Sequence, residues 1–171
     1  MRNKSLLKLT NTAIFTVIIM LSTMLVKFST GLGEGYIHFG DCVIYLAACI
    51  LPFPYCLIAA ALGGALADIL GGFAIWAIPT AIIKMLIAMP FAINNKSNKI
   101  LSKRTALMPL ISGVITILGY FIAECILYSV PSATLSLIGN TIQAVASGIL
   151  FYIIAIPLDK TNFKSKISKG V

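Results

Sequence analysis

Charge is scarce in this chain: 11% of its 171 residues are charged, five are acidic, and there is one histidine and one tryptophan. Soluble domains carry about 25% charged residues, so a fully water-facing surface is excluded. With His38 as the only histidine, a histidine-rich metal site is excluded as well. Cys42, Cys49, Cys56 and Cys125 form no C-x-x-C pair, which leaves no zinc pattern and no redox dithiol; they read as small buried hydrophobes. No nucleophile stands beside a base, and no ATP-binding motif is present. Gly31, Gly33 and Gly35 superficially resemble a phosphate loop, but no strand precedes them and no Walker-type lysine follows. An enzyme, a metal centre and a cofactor are therefore not expected.

What the chain has is apolar length: 59% of its residues are hydrophobic, and its mean hydropathy is +1.01. Its solvent is a bilayer. The net charge of +8 sits in three groups, Arg2, Lys4 and Lys8, then Lys96, Lys99, Lys103 and Arg104, then Lys160, Lys164, Lys166 and Lys169. Each flanks a long apolar segment, as cytoplasmic loops do under the positive-inside rule. No basic face alternates with exposed aromatics, so nucleic acid is not an expected partner.

The first apolar segment, 9–28, approaches the ~20 residues a spanning helix needs. No A-x-A cleavage pattern follows it, so it is expected to be retained as a helix. The segment 42–70 is broken at Pro52-Phe53-Pro54. If all three basic groups share one side, an even number of crossings must separate them, and this segment must cross twice. Prolines disfavour helix in the residue before them, so a turn is expected there. The sequence thus predicts an all-α integral membrane protein, a single membrane domain with six transmembrane helices and both termini cytoplasmic. The helices are expected at about 9–28, 40–51, 55–70, 74–93, 106–129 and 134–158, with an outer lid loop at 29–40, a cytoplasmic loop at 94–105 and a turn at Pro131-Ser132.

In that topology Glu34, Asp41, Asp68 and Glu124 all fall at or near the outer ends, where they suggest a polar pocket open to the outside. Residues three or four apart share a helix face. Trp76, Thr80 and Lys84 align on the fourth helix, Tyr120, Glu124 and Tyr128 on the fifth, and Ser136, Asn140, Gln143 and Ser147 on the sixth. Such stripes either line a ligand site or join helices by hydrogen bonds. The second role suits Ser136 and Ser147; the first suits Asn140, Gln143 and Glu124. Lys84, near mid-helix, needs an anionic partner, with Asp68, Glu124 or a ligand as candidates. His38 with Asp41 would contact a ligand or cap the second helix. Ala60, Gly63, Gly64 and Ala67 place small residues where helices approach closely.

The segments GYIHFGDCVIYLAA, GGALADILGGFAIWAIPTAIIKML and GNTIQAVASGIL resemble the membrane substrate-binding subunit, or S component, of energy-coupling factor (ECF) vitamin transporters. The likeness runs over nearly the whole chain and is closest to the riboflavin-, hydroxymethylpyrimidine- and pyridoxine-type sub-group. The resemblance implies a six-helix subunit that captures a vitamin or precursor from outside, with the loop after the first helix closing the site. It also implies a transmembrane coupling (T) subunit and two cytoplasmic ATPases as partners. By the matching motifs, Tyr36, His38 and Asp41 lie at the lid and outer pocket, Asn140 and Gln143 face the ligand, and Asp68 and Lys84 lie near the cavity. S components usually dock through an A-x-x-x-A pattern on the first helix; here Ala13 is followed four residues later by Val17, with Thr12 and Thr16 as a second small pair.

The reading that follows is ATP-dependent uptake of a small ring-containing vitamin or precursor through the cell membrane. Hydroxymethylpyrimidine or a thiamine-related compound is the first candidate, then pyridoxine-type compounds, then riboflavin. Trp76, Tyr120 or Tyr128 would stack on the ring. The competing readings are a structural or assembly protein without ligand and a stand-alone secondary transporter.

Overall fold

A computed structural model describes residues 4–25, 27–29, 36–93 and 97–168. Helix α1 spans Lys4–Met24, and strands β1 (Lys27–Ser29) and β2 (Tyr36–His38) follow it. Then come α2 (Gly40–Ile50), α3 (Tyr55–Leu70), a 3-10 turn (Ala74–Trp76) leading into α4 (Ala77–Ala92), α5 (Met108–Leu127), α6 (Val130–Lys160) and the short α7 (Phe163–Ser168).

Among the described residues, four helices, Lys4–Met24, Ala74–Ala92, Met108–Leu127 and Val130–Lys160, are long and apolar enough to cross a membrane; Gly40–Ile50 and Tyr55–Leu70 are apolar but shorter. Large aliphatic side chains crowd the outside of the bundle, with Ile126 78%, Ile78 75% and Leu110 70% exposed. A water-soluble surface does not carry such a continuous apolar band, which is what acyl chains cover.

The shortness of α2 follows from its position. At about 1.5 Å per residue its 11 residues reach about 16 Å, well short of the ~30 Å hydrocarbon core. All of them except Val43 and Ile50 are buried, because α2 runs through the middle of the bundle against α1, α3, α4 and α6. A helix that is apolar all round belongs in such a core. It stops where Leu51, the residue before Pro52, turns extended with ψ 145°.

Small residues set the spacing around it. A Cβ on Gly63 would lie 2.6 Å from Ile19 Cγ2 on α1, and one on Gly64 would lie 2.8 Å from Lys84 Cγ on α4. The backbone of α3 is thereby in near contact with both neighbours. Below the mouth of the bundle, Tyr45, Phe91 and Phe151 seal the centre, with Tyr45 stacked on Phe91 at 4.7 Å between centroids.

At the opposite end from the hairpin, the α4–α5 connection is tied down by side chains. Asp159, on the last turn of α6, accepts hydrogen bonds from the backbone N–H groups of Ile100 and Leu101 at 2.7 and 2.8 Å. Arg104 donates to the carbonyls of Ile93 and Pro90 at the end of α4, and the Tyr152 hydroxyl donates to the Ala106 carbonyl.

Several boundaries differ from the expected ones for local reasons. The first helix ends at Met24, because Lys27–Ser29 pairs antiparallel with Tyr36–His38 instead of extending it. The chain therefore contains a small hairpin where an all-α architecture with an outer loop at 29–40 is expected. Helix α6 begins at Val130, so Pro131-Ser132 is its first turn and not the connection. Ser129 caps it by accepting from Ser132 N–H, and a proline in the first turn costs no intrahelical bond.

Candidate functional site

At the hairpin end, five helices and β2 enclose a cavity of about 60 Å3. The end of α1 contributes Thr23, β2 contributes His38, and the end of α3 contributes Asp68. Trp76 comes from the 3-10 turn before α4, Thr80 from the first turn of α4, Tyr120 and Glu124 from the last turns of α5, and Asn140 and Gln143 from α6. The space is ample for ordered water, which needs about 10–15 Å3 per molecule, and a bound ring would displace it.

A buried ion pair lies behind the lining residue Gln143. Asp41, in the first turn of α2, and Lys84, mid-way along α4, are both fully buried, and Lys84 Nζ lies 2.5 Å from Asp41 Oδ1. Gln143 Nε2 donates to the other carboxylate oxygen, Oδ2, at 2.9 Å. The ammonium also lies 5.1 Å from the centroid of the Tyr120 ring, within cation–π range. Three helices are thus joined at one carboxylate. Lys84 finds its anion in Asp41, in place of Asp68 or Glu124, because α2 lies across the bundle from α4 and delivers its first turn to mid-height.

Aromatic groups form one wall. The Trp76 indole lies 5.9 Å from both the Tyr120 and Tyr128 rings, and its Nε1–H donates to the Tyr128 hydroxyl at 3.3 Å. Tyr128 is 46% exposed and stands at the rim, outside the cavity lining.

His38 is buried and accepts a hydrogen bond at Nδ1 from the N–H of Gly40, the first residue of α2, at 3.1 Å. It therefore caps that helix while its ring lines the cavity, and Nδ1 as acceptor places the proton on Nε2. Glu34 lies outside the described residues; Tyr36 belongs to β2, and its side chain lies outside them too.

In the lining, Glu124 Oε2 and Asn140 Nδ2 are buried without a hydrogen-bond partner among the described residues. Ser136, one turn before Asn140 on α6, lies beside the Glu124 carboxyl. Buried polar groups are almost always satisfied, so an unsatisfied acceptor and donor facing one cavity mark a place for a polar ligand or water.

Thr23 and Phe73 line the cavity without having been anticipated from the sequence. Thr23 was legible in principle: Thr12, Thr16, Ile19 and Thr23 form the buried stripe of α1, at helical spacing. That stripe also separates the two small pairs of α1 onto different faces. Thr12 and Thr16 are buried, their hydroxyls bond back to the Lys8 and Thr12 carbonyls, and the Thr16 carbonyl lies 3.0 Å from where a Cβ on Gly63 would sit. They serve packing on α3, whereas Ala13 and Val17 are exposed on the other side of α1.

Comparison with known proteins gives one informative match. A family model described as "ECF-type riboflavin transporter, S component" matches residues 3–160. No curated protein matches the chain.

Proposed function

Because the chain belongs to the family of ECF-type transporter S components, a family of transporter subunits and not of enzymes, we propose that it is the substrate-capturing membrane subunit of an ECF-type importer. It binds a small water-soluble vitamin or vitamin precursor from outside the cell, and it works with a T subunit and two cytoplasmic ATPases. That division of labour suits a chain with no ATP-binding motif of its own. The observation that carries the reading is the cavity of the hairpin end: polar side chains from five helices converge there around the buried Asp41–Lys84 pair, beside an aromatic wall. Helix–helix contacts alone do not require a buried carboxylate oxygen without a partner, as at Glu124.

All six apolar helices take part in the membrane domain, with both termini cytoplasmic, so the cavity faces outward and the hairpin lies over it as a lid. The exposed Ala13 and Val17 of α1 supply the docking face for the T subunit. Ala13→Phe is then expected to abolish uptake in cells while leaving ligand binding by the isolated subunit intact. Loss of binding as well would assign this face to the fold.

The substrate reading is tested by native mass spectrometry of the detergent-purified chain and calorimetric titration with hydroxymethylpyrimidine, thiamine, pyridoxine, pyridoxamine and riboflavin. One of them is expected to bind at one site with a Kd in the nanomolar range. A folded protein that binds none of them would sink the reading.

A further inference from the structure

The polar groups of the cavity are not equally free to choose their role. An amide side chain can present its carbonyl or its NH2 group to a ligand, and in most sites either orientation is open. Gln143 has no such choice. Asp41 is held ionised by Lys84 at 2.5 Å, and an ionised carboxylate only accepts hydrogen bonds, so the group facing it at 2.9 Å must be the Gln143 NH2. The carbonyl oxygen, Oε1, is what Gln143 has left to offer the cavity it lines. Glu124, 4% exposed and with Oε2 unpartnered among the described residues, offers a second acceptor to the same cavity. Asn140, whose amide is fixed by no hydrogen bond among the described residues, can turn its NH2 toward the cavity as a donor.

We infer that the Asp41–Lys84 pair, by fixing the Gln143 amide, and Glu124 make this cavity select an amino-substituted nitrogen heterocycle over one with a carbonyl at the same position. The amino group donates to Gln143 Oε1 and to the Glu124 carboxylate, and the adjacent ring nitrogen accepts from Asn140. A ring carrying an oxo group flanked by N–H presents the reverse pattern: its oxygen would face two acceptors and leave them unsatisfied. Sites built around placed hydrogen-bonding groups reject such analogues far more strongly than apolar pockets reject a missing methylene. Gln143 and Glu124 are specificity-determining contacts in this scheme, whereas Asp41 and Lys84 are positioning residues that act through Gln143. The inference rests on the cavity being a vitamin site and narrows the class of compound it takes.

The test is a calorimetric comparison of 4-amino-5-hydroxymethyl-2-methylpyrimidine with its 4-oxo analogue and with riboflavin, whose pyrimidine edge carries two oxo groups around an N–H. The amino compound is expected to bind about a hundredfold or more tightly than either. Equal or tighter binding of the oxo analogue or of riboflavin overturns the selectivity while leaving the vitamin-capture function standing. Absence of binding by any vitamin to a folded protein overturns both.

Two variants check the mechanism. Glu124→Gln introduces an NH2 that can turn toward an oxo group, and it should reduce the amino-to-oxo ratio at least tenfold. Asp41→Asn combined with Lys84→Met removes both charges and frees Gln143 to flip, so the ratio should fall again even though neither altered residue touches the ligand. If the double variant fails to fold, Glu124→Gln decides alone, and an unchanged ratio there overturns the inference. A purely structural role for the ion pair would lower stability without moving the ratio.

Discussion

The Asp41–Lys84 pair is the group in this molecule whose removal should be felt most. Two charges taken out of water are tolerable when each satisfies the other, and Gln143 takes up the remaining carboxylate oxygen. Deleting one partner leaves the other buried and alone. Asp41→Asn or Lys84→Met alone should therefore destabilise the fold by about 3–5 kcal/mol, while the two together should cost much less than the sum of the singles. Thermal unfolding of the four proteins in one detergent measures this. Additive losses would mean that the pair contributes nothing as a pair. The same pair shows where reading a sequence stops at this scale. Spacing along each helix identifies Thr80 with Lys84 and Asn140 with Gln143 as shared faces, and these residues do converge on one region of the bundle. It carries no information on which helix lies opposite. Asp41 reads as a rim residue from its place at the head of an apolar segment, and only the central course of α2 brings it to Lys84.

Between elements, the controlling contact is the approach of α1 to α3. Gly63 sits against Ile19 and the Thr16 backbone, so a methyl group there must part the two helices. Gly63→Ala should cost about 1–3 kcal/mol, the usual range for overpacking, whereas Leu62→Ala, one residue away on the exposed face, should stay within about 0.5 kcal/mol. Comparable melting temperatures for the two variants would remove the glycine contact from the account. The small-residue pattern of α3 was legible because packing of this kind demands it wherever membrane helices cross closely. The threonines of α1 were ambiguous for a physical reason. A pair of small residues four apart serves an inner face and an outer face equally well, and only the position of Gly63 decides between them. The hairpin is a third case, since its strands of three residues are too short to show an alternating pattern.

For the whole molecule, the two ends of the bundle differ in charge. Asp41, Asp68 and Glu124 gather at the hairpin end, and Lys99, Lys103, Arg104, Lys160, Lys164 and Lys166 belong to the other, where Asp159 and Arg104 fasten the α4–α5 connection to the helix ends. Burial of acids inside a site and retention of bases at a surface are separate physical requirements, yet both agree with the proposed orientation, in which the basic end faces the cytoplasm. That orientation is accessible to a direct test, because Cys42, Cys49 and Cys56 are buried and only Cys125 is partly open. In a Cys125→Ser background, a cysteine replacing the exposed Ala74, at the hairpin end, should react with a membrane-impermeant thiol reagent added to intact cells. One replacing the exposed Lys103 should react only after the cells are opened. The reverse pattern would place the cavity on the cytoplasmic side. A capture subunit cannot work from there, so the result would invalidate uptake from outside along with the topology. Labelling of both positions in intact cells would show instead that Ala74–Ala92 does not cross the membrane, since that one helix is what separates the two sites.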